Sequence, residues 1–173
     1  QLALPQAKVA SAGTVAAGGF TPPKGVSPWL IGDPTLYKTV PSFCRVVVEA
    51  TPSADSSIAI EVWMPVTAWN GRFRAQGNGG FAGEIHFGAL GSTVRQGYAT
   101  AATNTGHSGI GTDASWALGH PEKVTDFGFR GIHPLQVFRR IHGQDQFFPA
   151  PQGHQPGLAL HLERVRGFHR HRC

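Results

Sequence analysis

The sequence predicts an α/β fold, a sheet whose strands are interleaved with helices. Two apolar segments alternate with period two around Cys44–Ala50 and Ile58–Met64. A short strand then runs into the glycine cluster GNGGFAG at 77–83, and a helical spacing leads on into another apolar strand. Strand, glycine loop, helix, strand is the order in which α/β sheets are built.

The chain of 173 residues has room for one core and shows no internal period. Few charges together with 23 glycines and 13 prolines suit a loop-rich secreted or periplasmic domain better than a disordered or coiled-coil chain. No apolar run approaches about 18 residues, so no membrane-spanning helix is expected. The chain opens at Gln1 without a basic-then-apolar leader, which places any export signal upstream. The net charge of +5 is unevenly divided: residues 1–133 carry nine basic and eight acidic side chains, residues 134–173 six arginines against Asp145 and Glu163. That arginine-rich end has neither a nucleic-acid motif nor an amphipathic stripe, so no nucleic-acid partner is expected.

Residues 1–42, with FTPPKGVSP and TVPSF, read as an extended arm lying over a core. Cys44, Val46, Val48 and Ala50 alternate with Arg45, Val47 and Glu49; Ile58, Ile60, Val62 and Met64 alternate with Ala59, Glu61 and Trp63. Both read as half-buried strands, and the turn-rich TPSADSS between them predicts antiparallel pairing. Asn70-Gly71 signals a turn before a short strand through Phe73 and Ala75. From Phe87 to Gln96, Leu90 and Val94 lie four apart with Gly97 beyond them, a short helix with its stop. YATAATNTG then reads as a buried strand. After GHPEK, the positions Val124, Phe127, Gly131 and Leu135 form a helical stripe, which Pro134 should end or kink near Ile132.

Three chemistries compete for the glycine loop. A phosphate-cradling P-loop needs Lys and Ser/Thr after its last glycine, but Glu84 and Ile85 follow Gly83. Gly77, Gly79 and Ala82 satisfy a dinucleotide fingerprint, yet no acid lies between Glu84 and Asp113 to hold a ribose. The third is an oxyanion loop, in which glycine lets an acyl carbonyl approach backbone N–H groups fixed before charge develops. A tight strand-to-helix turn with no ligand remains the plain alternative.

PSFCRVVVEA, IEVWMPVTAWNGRF, GNGGFAG, GYATAATNTGHSG and DASWALGHPEKVTDFGFRGIH resemble, in order and spacing, the N-terminal part of the tannase and feruloyl esterase family over about residues 4–133. The resemblance implies an α/β-hydrolase fold, present here as its N-terminal part only. It also implies a secreted serine esterase of phenolic acyl esters, with a Ser-Asp-His triad and a lid that would hold any calcium. On this reading residues 43–133 form a partial hydrolase domain. Gly79 and Gly80 are the candidate oxyanion loop, and Asn78 and His107 are substrate-contact candidates. The family's nucleophile turn, G-C-S-x-G-G, is absent from this sequence, and with it the triad. The resemblance further implies a partner for Cys44 upstream of Gln1. No cofactor is expected, and the partner would be a small phenolic ester. The alternative is a catalytically inactive fragment, or a module that binds phenolic ligands without hydrolysing them.

Residues 134–173 depart from the family. They lack Ser, Thr, Asn, Lys and Tyr and are crowded with Arg, His, Pro and Gly, so they read as out of frame or disordered. His161, His169, His171 and Cys173 could instead form a metal tail, but an arginine-rich end offers little to hold four ligands in place, and no metal site is expected. His107 suits a loop-bracing role as well as a substrate contact. Asp113, Trp116 and His120 are explained by turn contacts and packing. Cys44, in an alternating strand, would be a poorly stabilised thiolate nucleophile. Its position in a region unlike that of Cys173 argues against their mutual disulfide.

Overall fold

The computed structural model describes residues 6–133 and 135. They form one five-stranded mixed sheet: β1 (Ala7–Val15), β2 (Phe43–Ala50), β3 (Ile58–Pro65), β4 (Phe73–Gln76) and β5 (Ala99–Thr103), in the spatial order β1-β2-β3-β5-β4. β1 to β2, β2 to β3 and β3 to β5 are antiparallel, while β4 and β5 are parallel. Parallel neighbours need a crossover, and α2 (Phe87–Arg95) supplies it. The expected β2–β3 hairpin is present, with Cys44 opposite Met64 and Ala50 opposite Ile58.

Helix α2 follows its sequence pattern. Phe87, Leu90 and Val94 are buried on one face, and Gly97, at φ +81°, closes the end with its N–H donating to Val94 O. That face meets an aromatic cluster of Phe20, Tyr37, Phe43 and Trp63, in which Phe43 stacks on Trp63 at 4.3 Å between centroids and Phe20 meets it edge-on at 4.4 Å. Burying each such ring contributes about 1.5–3 kcal/mol. Val46, Val48, Ile60, Val62 and Ala101 fill the opposite face of the sheet and pack with Leu135.

Three expectations change. The arm is not extended throughout: residues 7–15 form edge strand β1 with a register shift between Val9 and Ser11, and the stretch that drapes over the core, through Phe20, Tyr37 and Val40, includes a short helix α1 (Pro28–Ile31) and a 3-10 turn at Pro34–Thr39. β1 shows no apolar alternation because most of its residues are exposed, and pairing alone makes it a strand. β3 is not half-buried: Glu61 and Trp63 are buried as well, because Phe20 and α2 cover their face. Glu61 accepts from Arg45 Nε at 2.9 Å and from Trp63 Nε1 at 3.0 Å, so the buried carboxylate is fully engaged. In return, the hydrogen bond to Glu61 raises the Arg45 pKa.

The third change concerns the helix at GHPEK. Helix α3 (Pro121–Thr125) starts at its proline, then widens into a π-helical turn over Asp126–Arg130 that Gly131 N closes on Asp126 O at 2.7 Å. The extra residue rotates the buried face. Val124 is exposed, and the fully buried side chain is Asp126, paired with Arg130 Nε at 2.9 Å. Residues 134 and 136–173 lie outside the described structure, so neither the effect of Pro134 nor the character of the tail is addressed by it.

Candidate active-site loops

The C-terminal ends of β4 and β5 point the same way, and the loops that leave them, 77–86 and 104–120, pack together. In parallel α/β sheets this is where ligands are gathered. Phe81 N donates to Gly111 O at 2.9 Å and Gly83 N to Gly109 O at 3.0 Å, a short rung between two glycine-rich loops. Asn78 Nδ2 donates to Thr103 O at 3.0 Å and ties the first loop to the end of β5.

Gly80 has φ +57°, and a Cβ there would run into the Gly111 carbonyl, so backbone conformation and close approach both demand glycine. Gly79 is different. A Cβ there would meet nothing within 4 Å, and the residue is exposed. Among the described residues the N–H groups of Gly79 and Gly80 have no hydrogen-bond acceptor, although the turn is pinned by Ala82 N donating to Gly79 O at 3.1 Å. The loop therefore carries two N–H groups without an acceptor among the described residues, on a backbone held at Phe81, Ala82 and Gly83; donors fixed in advance in this way can stabilise a developing oxyanion.

His107 is the brace. It is 6 % exposed, its Nε2 donates to Phe81 O at 2.8 Å, and among the described residues its buried Nδ1 has no partner. The ring stacks on Trp116 at 3.8 Å and meets Phe127 edge-on at 5.6 Å, while Phe81, 48 % exposed, lies 6.5 Å from Phe127. The Trp116 Nε1 is likewise buried without a partner. His107 thus holds the two loops together through its ring edge and its face.

The other sequence candidates do not converge here. Asp113 accepts from Ser115 N at 2.8 Å, the expected turn contact, and that backbone hydrogen bond lowers its pKa. His120 Nδ1 pairs with Asp55 at 2.9 Å, joining the β2–β3 turn to the start of α3. Cys44 lies in β2, and among the described residues no cysteine is a free thiol. Cys173, with His161, His169 and His171, lies outside the described residues. Among the described residues no serine hydroxyl is hydrogen-bonded to a histidine ring, and no group of three or more His, Cys, Asp or Glu side chains is placed to hold a metal. Sequence reasoning missed the second loop's part: Gly109 and Gly111 carry the contacts that hold the first, and their spacing in HSGIG was the available signal.

The model of the tannase and feruloyl esterase family matches residues 44–141, more than half of the chain. The chain belongs to that family. An uncharacterized esterase of Xanthomonas campestris is 42 % identical over 131 residues, 76 % of this chain and 21 % of the relative. A probable feruloyl esterase B-1 of Aspergillus terreus is 44 % identical over 90 residues, 52 % of this chain and 16 % of the relative. Among solved structures, an esterase from Aspergillus oryzae superposes with a TM-score of 0.67 at 28 % identity, covering 82 % of this chain and 27 % of that one. Feruloyl esterase B from the same organism gives 0.62 at 28 % identity, covering 79 % and 25 %. The chain thus spans about a sixth to just over a quarter of the length of these relatives. The glycine loop and its brace fall within the matched residues.

Proposed function

We propose that this chain carries the oxyanion-binding part of a secreted carboxylic-ester hydrolase of α/β-hydrolase fold, acting on phenolic acyl esters such as feruloyl or galloyl esters. The observation that supports this reading is the pair of N–H groups at Gly79 and Gly80, which have no acceptor among the described residues, on a loop pinned by Gly109, Gly111 and His107. Charge that develops on an acyl oxygen during nucleophilic attack would be met by these amides, and losing one such donor typically costs about 10²-fold or more in turnover. The esterase names of the relatives supply the reaction class, and those printed as feruloyl esterases the phenolic acyl group. Phe81, exposed beside the donors, offers an apolar surface for an aromatic acyl ring.

The same observations place limits on this chain's chemistry. An oxyanion loop stabilises an alkoxide but does not generate the nucleophile that forms it, and the described residues hold no Ser–His pair. Taken by itself, the chain binds the acyl group and does not turn it over. The test is to titrate ferulate and gallate, carboxylates that mimic the oxyanion, into the isotopically labelled chain and follow the backbone amides. The reading expects the largest downfield shifts at Gly79 and Gly80. Binding that shifts other amides and leaves these two unmoved would refute it.

A further inference from the structure

The chain contains two Asn-Gly pairs, Asn70-Gly71 and Asn78-Gly79, and the structure holds them very differently. The Asn70 side chain is anchored at both ends: Oδ1 accepts from Arg72 N at 2.9 Å and Nδ2 donates to Gln96 O at 3.1 Å, while its own N–H donates to Gly97 O at 2.9 Å. Among the described residues Asn78 has one side-chain anchor, Nδ2 to Thr103 O, and none at Oδ1. The residue after it, like Gly71, is exposed with empty space where a Cβ would stand, and among the described residues its N–H has no acceptor. A backbone nitrogen that is solvated, unblocked and free of a hydrogen bond is the nucleophile an asparagine side chain needs in order to cyclise.

We propose that Asn78-Gly79 is a site of spontaneous succinimide formation, through which the glycine loop acquires an aspartate or isoaspartate. The Gly79 amide nitrogen gives its proton to solvent and bonds to Asn78 Cγ. The bond from Cγ to Nδ2 breaks, and that nitrogen takes a proton from solvent and leaves as ammonia. Water then opens the ring at either imide carbonyl, giving aspartate or, with the backbone rerouted through the side chain, isoaspartate. Asparagine and water are the only reactants, and no oxidant or reductant enters. The product loses the Nδ2 donor to Thr103 O, and it places a carboxylate beside the open donors of Gly79 and Gly80. An anion at that position repels any second anion that the amides would otherwise bind.

The chemistry does not depend on the esterase reading, although its consequence for anion binding rests on it. Trypsin separates the two pairs, because cleavage at Arg45, Arg72, Arg74 and Arg95 puts Asn70 in peptide 46–72 and Asn78 in peptide 75–95. The intact chain is held at mildly alkaline pH, sampled over time and digested, and the one-dalton gain is read in each peptide with isoaspartate assigned by fragmentation. The gain at Asn78 is expected to outpace that at Asn70 several-fold. Gly79→Ala, which meets no neighbour, should slow the Asn78 reaction several-fold without touching Asn70. Equal or faster conversion at Asn70, or an unchanged rate in Gly79→Ala, would overturn the proposal. In aged protein a ferulate titration should lose the Gly79 and Gly80 shifts. Loss of asparagine at 78 with those shifts intact would refute the oxyanion reading and leave the modification site standing.

Discussion

Replacing Gly80 by alanine isolates what the glycine loop demands of its backbone. The residue sits at φ +57°, and the added Cβ would occupy the space of the Gly111 carbonyl, which also accepts the Phe81 N–H at 2.9 Å. Holding a Cβ in the left-handed region costs about 1–2 kcal/mol. If the Cβ displaces Gly111, the Phe81 hydrogen bond and its neighbour from Gly83 to Gly109 weaken together, at about 1 kcal/mol each, for a combined loss of about 3–4 kcal/mol. Gly79→Ala one position earlier meets nothing within 4 Å and has no positive φ, so it should be neutral, or stabilising by about 0.4–1 kcal/mol through the unfolded chain. Urea unfolding of the two variants beside the parent, followed by far-ultraviolet circular dichroism, measures the difference. Equal destabilisation by both, or a larger loss from Gly79→Ala, would mean that the loops are not interlocked at Gly80 and Gly111.

Further outcomes follow from other parts of the molecule. Glu61→Ala removes the acceptor of Arg45 and Trp63 from a buried position and should cost about 3–5 kcal/mol, read as a lowered urea midpoint. Tyr37 is buried with its hydroxyl donating to Ile31 O at 2.6 Å, and burial pushes its pKa from 10.0 up to about 12. Because the neutral phenol is the form the fold prefers, the stability it contributes is complete below pH 10 and drains away as pH rises towards 12, a step that Tyr37→Phe should abolish in alkaline unfolding curves. The chain as given should hydrolyse neither methyl ferulate nor methyl gallate above background, and a Gly79→Val, Gly80→Val double variant should match it. Turnover in the parent that disappears in the variant would reveal a nucleophile among residues 1–133, with Ser108 beside His107 the first to test.

Local pattern made much of this architecture legible. β2, β3, α2 and β5 were all readable from apolar spacing, because each buries a face whose period shows in the sequence. β1 was not, since Ala7–Val15 buries almost nothing and owes its extended pairing to β2. The turn after α3 was misread for a different reason. Of the stripe Val124, Phe127, Gly131 and Leu135, the last two are buried, but Val124 is exposed and Phe127 only half-buried, because the π turn shifts the register by one residue and brings Asp126 inward, where Arg130 pairs with it. Gly79 and Gly80 could be found as a glycine loop, although only Gly80 lacks room for a side chain. What holds them, Gly109 and Gly111 about thirty residues on, is a contact between loops that no local window records.

The pairing of those two loops sets a condition on moving the chemistry elsewhere. A designer who transplants residues 77–83 onto another strand-to-helix junction carries over the donors but not their support, because Phe81 N is held by Gly111 O, Gly83 N by Gly109 O and Phe81 O by the His107 ring. The smallest unit that travels is therefore discontinuous: both loops, the parallel strands β4 and β5 that launch them, and the intervening α2. Insertions in the second loop should be read as changes to the first, and length variation among relatives at 107–111 should be matched by compensating change at 79–83.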